Sequence, residues 1–255
     1  MKTAHFNLKR LQYFIYRQAV LNIHSVIISG GSIFGVLLLH TIIMSNFSPL
    51  QVAKIPGFHI GIFFIAGFIL TGKIFSELHD PLKGYFYLTL PVSNLERLIG
   101  SWFLSSPLYI IGYGTFTFLM ISLAVAITDS PVTVSSFFDI AYLRYISIFL
   151  VLQTVFFLGA CYFQKNIFSK TLLSVFLFFL SIGILTFIFG YFLFFNSEKA
   201  GSAENFQFFL YSENNNSFLF DIQNKFIDII TFLFWYILGP FMLLVSYFKL
   251  KERQL

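Results

Sequence analysis

The residue types that most often carry chemistry are sparse in this sequence, and none of them stands in a catalytic spacing. His24, His40 and His59 are isolated, with no HExxH pattern and no paired aspartates. The single cysteine, Cys161, excludes an intrachain disulfide and a CxxC metal pair, and its apolar surroundings predict a small packed side chain. A Walker A sequence is absent, which excludes nucleotide hydrolysis by that route. We therefore expect neither an enzyme nor a metal site.

One long amide side chain, Gln153, falls in the middle of an apolar run. A polar group in hydrocarbon is stabilised by a partner on a neighbouring helix, so we predict an interhelical hydrogen bond for this side chain. A proton-coupled carrier is expected to bury a carboxylate, and we find none in the middle of any apolar run. If the chain transports a substrate, this pattern favours a hydrophobic or amphipathic cargo over an ion.

The densest group of polar residues with a defined spacing lies between residues 73 and 101. Ser93 and Glu96 have capping-box spacing, in which each side chain accepts a hydrogen bond from the other residue's amide. Pro91 favours an extended approach to that start. Upstream, residues 75–82 predict a short amphipathic turn that ends at Asp80–Pro81. By spacing alone, a well-capped helix in an ordinary loop explains the pattern.

The elements that position these residues are membrane helices. The chain has 255 residues, of which 57% are hydrophobic and 11% are charged, whereas soluble domains carry about 25% charged residues. The bilayer resolves this imbalance by acting as the solvent for apolar side chains. We predict an all-α fold, a single transmembrane domain with six spans at about 24–44, 57–74, 102–127, 143–163, 171–195 and 228–248. The glycines of the second span predict close helix packing, and two of them have GxxxG spacing: Gly57, Gly61, Gly67 and Gly72, of which Gly57 and Gly61 form the pair.

The distribution of charge predicts the orientation of these spans. With the N-terminus placed inside, twelve of the sixteen lysines and arginines fall in cytoplasmic segments, and seven of the eleven acidic residues fall outside. This positive-inside asymmetry predicts a multi-pass protein of the cytoplasmic (inner) membrane with both termini in the cytoplasm. It also accounts for the basic pI of about 9.2, so no nucleic-acid partner is expected.

Three further segments carry structural expectations. Residues 6–22 mix aromatic, aliphatic and basic side chains, which predicts an amphipathic helix along the cytoplasmic interface with its cations facing anionic lipid; a solvated, positively charged lead-in is the alternative. The outer loop at 196–227 has apolar flanks that suit the membrane surface. Pro107 and the Gly239–Pro240 pair are expected to kink the third and sixth spans.

The stretch LTLPVSNLERLIGSWF resembles the LPVS-x-x-E-x-L-x-G/S segment that follows the second span in permease subunits of type-2 ABC exporters. Leu90, Pro91, Ser93, Glu96 and Leu98 match together, and the six-span order, the lead-in helix and the long outer loop are similar. The resemblance implies a permease that dimerises with an identical or paralogous subunit. It also implies a cytoplasmic ATP-binding cassette ATPase as partner, which would bind ATP and Mg²⁺, so that the chain itself needs no cofactor.

In that family the loop after the second span supplies a coupling helix that sits in a groove of the ATPase. Carried over, the resemblance places residues 75–83 and 93–97 at or near the ATPase. The implied contacts are Phe75, Glu77, Leu78, Asp80, Lys83, Tyr85, Ser93, Glu96 and Arg97, with Tyr87 as a further apolar anchor. The implied function couples ATP hydrolysis in the partner to export of a hydrophobic or amphipathic substrate. A non-transporting membrane scaffold or immunity protein with the same six-helix fold remains the alternative.

Overall fold

The computed structural model describes residues 6–47, 55–128, 140–195 and 228–252. The chain is helical throughout these ranges, apart from short turns. The helices are α1 (Leu8–Phe47), α2 (Ile55–Lys73), α3 (Ser76–His79), α4 (Pro81–Leu88), α5 (Asn94–Ser105), α6 (Pro107–Thr128), α7 (Ile140–Tyr162), α8 (Ile167–Phe195), a π-helical segment (Leu233–Leu238) and α9 (Gly239–Glu252). The predicted outer loop at 196–227 lies outside the described residues.

Among the described residues, six helical segments are long and apolar enough to cross a membrane. They are Val26–Met44, Ile55–Lys73, Asn94–Ala126, Ile140–Tyr162, Ile167–Ile188 and Asp228–Glu252. Hydrocarbon cannot hydrogen-bond to peptide groups, and a helix satisfies them within its own backbone. The predicted all-α, six-span fold is confirmed, and the chain is a multi-pass membrane protein.

The first helix differs from the sequence-based expectation of a separate interfacial helix. α1 continues from Leu8 to Phe47 without a break near residue 23. Its 40 residues correspond to a length of about 60 Å, roughly twice the thickness of a bilayer core. In its first half, Phe14 and Gln18 are buried at 3% and 2% exposure, and the helix packs against α5. Protein contacts therefore surround one face of the segment that we expected to lie on lipid.

The third span is divided at Ser106. α5 ends at Ser105 and α6 begins at Pro107, so the proline occupies the first position of a new helix instead of bending a continuous one. That position suits proline because the first amide of a helix has no intrahelical acceptor. In the sixth span, the π-helical segment Leu233–Leu238 immediately precedes Gly239–Pro240. Both prolines thus coincide with a change in helix geometry.

The chain groups into two compact units, Met1–Phe168 with Gly239–Leu255, and Ser169–Leu238. The described part of the first unit contains three apolar clusters, of which the one at the end that carries α3 and α4 is the largest. In the second unit, α8 exposes large apolar side chains such as Phe176, Phe178 and Phe179. An apolar exterior of this kind suits a lipid solvent.

Of the four glycines predicted to pack closely on α2, Gly67 makes the closest contacts, and the GxxxG pair makes none with the described residues. A methyl group added at Gly57 or Gly61 would meet no described atom within 4 Å. The same group at Gly67 would overlap the ring of Phe149 and would lie 2.7 Å from Cε1 of Tyr109. Within the described residues, the close packing predicted for α2 therefore occurs at Gly67 and not at the GxxxG pair, because α2 meets α6 and α7 through the face that carries Gly67.

Candidate functional site

The segment between the second and third spans folds into two short helices, α3 and α4, before α5 begins. Asp80 separates them: its Oδ1 accepts hydrogen bonds from the amides of Leu82 (2.9 Å) and Lys83 (3.3 Å). Pro81 follows as the first residue of α4. An aspartate N-cap followed by proline is a strong helix-start signal. The short turn expected to end at Asp80–Pro81 corresponds to α3, and the same Asp80–Pro81 pair begins an eight-residue helix that was not predicted from the sequence.

The capping box predicted at Ser93 and Glu96 is confirmed. Oγ of Ser93 accepts from the Glu96 amide at 3.2 Å, and Oε2 of Glu96 accepts from the Ser93 amide at 2.7 Å. Two amides that lack intrahelical acceptors are satisfied in this way. The box determines where α5 begins.

The second carboxylate oxygen of Glu96 connects α5 to the start of α1. Oε1 accepts from the amide of Asn7 at 2.7 Å and from Nη2 of Arg10 at 3.1 Å. The Glu96 side chain is completely buried. Because a buried carboxylate is costly unless its lone pairs are satisfied, the three hydrogen bonds to this group hold the start of α1 against the start of α5.

Arg97, the next residue, connects α5 to the end of α4. Its Nη2 donates to the carbonyl oxygens of Leu88 (2.9 Å) and Leu90 (3.2 Å), and only 2% of the residue is exposed. The guanidinium carbon lies 5.3 Å from the ring centroid of Tyr87. A cation beside terminal helix carbonyls and over an aromatic ring is favourable. Burial raises the pKa of the Tyr87 hydroxyl, so this ring stays neutral beside the cation.

Glu77 makes a second connection to α1. Its Oε2 accepts from Nη1 of Arg17 at 3.0 Å and from Nε2 of Gln18 at 3.1 Å. On the other side of α3, Nε2 of His79 lies 2.7 Å from the carbonyl oxygen of Ala160 in α7. The α3 segment is thus held between α1 and α7.

Three of the apolar residues that the resemblance assigned to the partner lie in the protein core. Phe75, Leu78 and Tyr87 are 0%, 8% and 1% exposed. The ring of Phe75 meets that of Phe157 edge-on at 5.1 Å. They share a cluster with Phe14, Leu98, Phe157, Ala160, Cys161 and Leu250. The expected packed position of Cys161 is confirmed.

The exposed large apolar side chains of the segment lie on one face of α4. Leu82, Tyr85 and Phe86 are 81%, 70% and 67% exposed, whereas Gly84 and Tyr87 on the other side of the helix are buried. Positions i, i+3 and i+4 share a helix face. We call Leu82, Tyr85 and Phe86 the docking face.

The sequence-based set of partner residues therefore separates into two groups. Lys83 and Tyr85 are exposed, and Asp80, which caps α4, is partly exposed. The others make internal contacts: Phe75, Glu77, Leu78, Ser93, Glu96 and Arg97. Phe86 was not in that set, and Leu82 lay within the range 75–83 placed near the ATPase without being named as a contact. The signal for them was present, because Asp80–Pro81 predicts a helix start and the apolar residues that follow have helical spacing.

A buried polar cluster lies beyond α5, around Gln153 of α7. Its Oε1 accepts from the Ser106 hydroxyl at 2.6 Å, and its Nε2 donates to Oγ of Ser105 at 2.8 Å and Oγ1 of Thr71 at 3.3 Å. All four residues are buried. The predicted interhelical hydrogen bond is confirmed, and it joins α2, α7 and the break between α5 and α6.

In comparisons with protein-family models, with curated proteins and with solved structures, nothing matches this chain. Across the described ranges, no three His, Cys, Asp or Glu side chains come together in a group that could hold a metal ion.

Proposed function

We propose that this chain is the membrane permease subunit of an ABC-type exporter and that α4 is the element through which it meets a cytoplasmic ATPase. The supporting observation is the docking face: Leu82, Tyr85 and Phe86 project from a helix whose opposite side is built into the core. A single exposed apolar residue has no special meaning, but three large ones on one helix face are typical of an interaction surface.

A groove in a partner protein is the occupant that suits this surface best. Short helices with apolar residues at positions i, i+3 and i+4 bind grooves in many complexes. The docking face follows the second span, at the end of the bundle that the positive-inside pattern assigns to the cytoplasm. Lys83, which is exposed next to the face, adds a positive charge that an acidic rim of the groove would complement.

In the proposed mechanism, ATP binding closes two ATPase subunits and shifts α4 on each of two membrane subunits. The spans then change their relative positions and open the pathway to the other side of the membrane. ATP and Mg²⁺ belong to the partner. A hydrophobic or amphipathic substrate suits the scarcity of charge in the spans. The second membrane subunit is an identical copy or a paralogue.

A non-transporting scaffold or immunity protein is the second candidate. The observation in its favour is the packed aromatic cluster between α2, α6 and α7, where Phe63, Tyr109 and Phe149 approach one another with ring centroids 4.6 to 5.6 Å apart. Such packing fills the interior of the first unit. A scaffold would use the docking face without a change in ATP turnover, which separates the two functions.

The test is affinity purification of the full-length chain from native membranes in mild detergent, with identification of bound proteins. We expect an ATPase that contains G-x-x-x-x-G-K-[ST], and its turnover should change when the permease is present. The variant Leu82→Ala/Tyr85→Ala/Phe86→Ala should recover at least about tenfold less ATPase, because anchor residues of an interface each contribute about 2 kcal/mol or more.

A matched control is Ile140→Ala/Leu143→Ala. These side chains are 77% and 62% exposed, and they lie at the opposite end of α7 from the Ala160 carbonyl that meets α3. Recovery of ATPase should be unchanged in this control. If the wild-type chain recovers no such ATPase, or if the docking-face variant recovers as much as the control, the assignment of α4 is wrong.

A further inference from the structure

The neighbouring residues Glu96 and Arg97 bind two different parts of the protein from the first turn of α5. Glu96 holds the beginning of α1 through Asn7 and Arg10. Arg97 holds the end of α4 through the carbonyl oxygens of Leu88 and Leu90. Both side chains are buried, at 0% and 2% exposure. A surface that contacts another protein would require them to be accessible, so they cannot serve as partner contacts in this conformation.

We propose that Glu96 and Arg97 are positioning residues that fix the orientation of the docking face relative to α1 and to the third span. This inference rests on the proposed function, and it replaces the direct contact with the ATPase that the resemblance implied for these residues. In this role, the pair transmits a displacement of α4 to α5 instead of letting α4 move alone.

The chemistry of the pair suits a rigid connection. A buried charge is tolerated only while its hydrogen bonds are made, so a shift of α4 that breaks the two bonds from Arg97 leaves a desolvated cation behind. The planar guanidinium reaches two carbonyl oxygens from one nitrogen, whereas a lysine ammonium in its place would act as a point charge with a different reach. The connection therefore depends on arginine geometry and not only on positive charge.

A continuous set of contacts leads from this pair into the bundle. α5 extends from Asn94 to Ser105, and its far end binds Gln153 through Ser105 and Ser106. Gln153 in turn binds Thr71 at the end of α2. A movement of α4 that Arg97 passes to α5 thus reaches α2 and α7 through hydrogen bonds that are all buried.

The experiment uses two conservative variants, Arg97→Lys and Glu96→Gln. Lysine keeps the charge, and glutamine keeps the capping box, which accepts either Glu or Gln. The matched control is Leu95→Ala, in the same turn, whose side chain is 47% exposed. Each full-length variant is reconstituted in liposomes with the ATPase that co-purifies with the wild type. Bound ATPase and its turnover are measured on the same samples.

We expect both positioning variants to retain bound ATPase at the level of the Leu95→Ala control. The effect of the permease on ATPase turnover should fall at least about tenfold, a loss equivalent to ~1.4 kcal/mol of coupling free energy. Loss of bound ATPase together with turnover would show that the pair is required for binding itself and not for transmission, and unchanged turnover would show that the pair transmits no movement. Either result overturns the inference.

A second measurement uses the chain without any partner, so it separates this inference from the proposed function. Spin labels are placed at Lys83 on α4 and Thr115 on α6, both exposed, in a Cys161→Ser background. The distance distribution should be narrow in the wild type and in Leu95→Ala, and broad in Arg97→Lys. If the distance distribution stays narrow in Arg97→Lys, the proposed positioning role is wrong, whether or not the ATPase binds. If it broadens and no ATPase binds to the wild type, only the proposed function fails.

Discussion

The hydroxyl of Ser106 donates a 2.6 Å hydrogen bond to Oε1 of Gln153, and this bond connects the break in the third span to the middle of α7. Ser106 lies between the last residue of α5 and the first of α6, where the backbone leaves helical geometry. The break is therefore not exposed to lipid, because its polar side chain is satisfied inside the protein. An irregular point in a membrane span is tolerated under that condition.

Replacing Gln153 by leucine should destabilise the protein by about 1–2 kcal/mol, because three interhelical hydrogen bonds are lost and two serine hydroxyls lose a buried partner. Thermal unfolding in detergent, followed by the reaction of buried Cys161 with a thiol-reactive dye, measures the change. The control is Thr115→Val, since the Thr115 hydroxyl bonds only within its own helix turn. An equal shift in both variants would contradict a special role for Gln153.

Alanine at Gly67 should lower stability by roughly 1–3 kcal/mol, because the added methyl group overlaps the ring of Phe149, a fully buried side chain with no room to move aside. The same change at Gly61, where no described atom lies within 4 Å, should leave the free energy of unfolding unchanged or raise it slightly. The same dye assay compares the two variants. A larger loss for Gly61→Ala would indicate that the GxxxG face packs against a second subunit.

Alanine at Gly100 should loosen the contact between α1 and α5. A methyl group there would lie 2.7 Å from Cδ1 of Phe14, a buried residue at the centre of that contact. We expect the free energy of unfolding to fall by about 1–3 kcal/mol. Part of this loss should be recovered in Phe14→Leu/Gly100→Ala, because the smaller side chain makes room for the methyl group. Gly112→Ala on α6, with open space around it, is the control. If the double variant loses more stability than the sum of the losses in Phe14→Leu and Gly100→Ala, the added methyl group does not overlap Phe14 directly.

Cysteine labelling tests the predicted orientation. In a Cys161→Ser background, a cysteine at position 213 should react with a membrane-impermeant maleimide added to intact cells, whereas Lys83→Cys should react only after the membrane is opened. The physical reason is the concentration of basic residues on one side of the spans. The reverse pattern of labelling would place α4 outside and would remove the basis for an ATPase partner.

Much of the membrane architecture could be predicted from local features of the sequence. The number and approximate limits of the spans depend on runs of apolar residues, and each residue in a run contributes independently to insertion. The capping box at Ser93 and Glu96 depends on a spacing of three residues and formed as expected. An interhelical hydrogen bond of Gln153 was predictable, because a lone amide side chain in hydrocarbon requires a hydrogen-bond partner.

The contacts of the segment between the second and third spans were not predictable in the same way. Phe75 and Tyr85 have the same aromatic character in the sequence, yet one is fully buried and the other is 70% exposed. The difference depends on which side of each short helix faces α1 and α7, and that is decided by residues far away in the chain. Glu96 illustrates the point, because its donors at Asn7 and Arg10 lie 89 and 86 positions away.

The sequence by itself determined that this protein is an all-helical, six-span membrane protein with a capped helix start at Ser93, because hydrophobicity, charge placement and capping act over one helix or less. Tertiary structure alone decided that α1 continues through the predicted interfacial segment, that Glu96 and Arg97 face inward, and that Leu82, Tyr85 and Phe86 remain outside. The physical reason is that a side chain's exposure is set by the elements packed around it, and residues distant in sequence supply those elements.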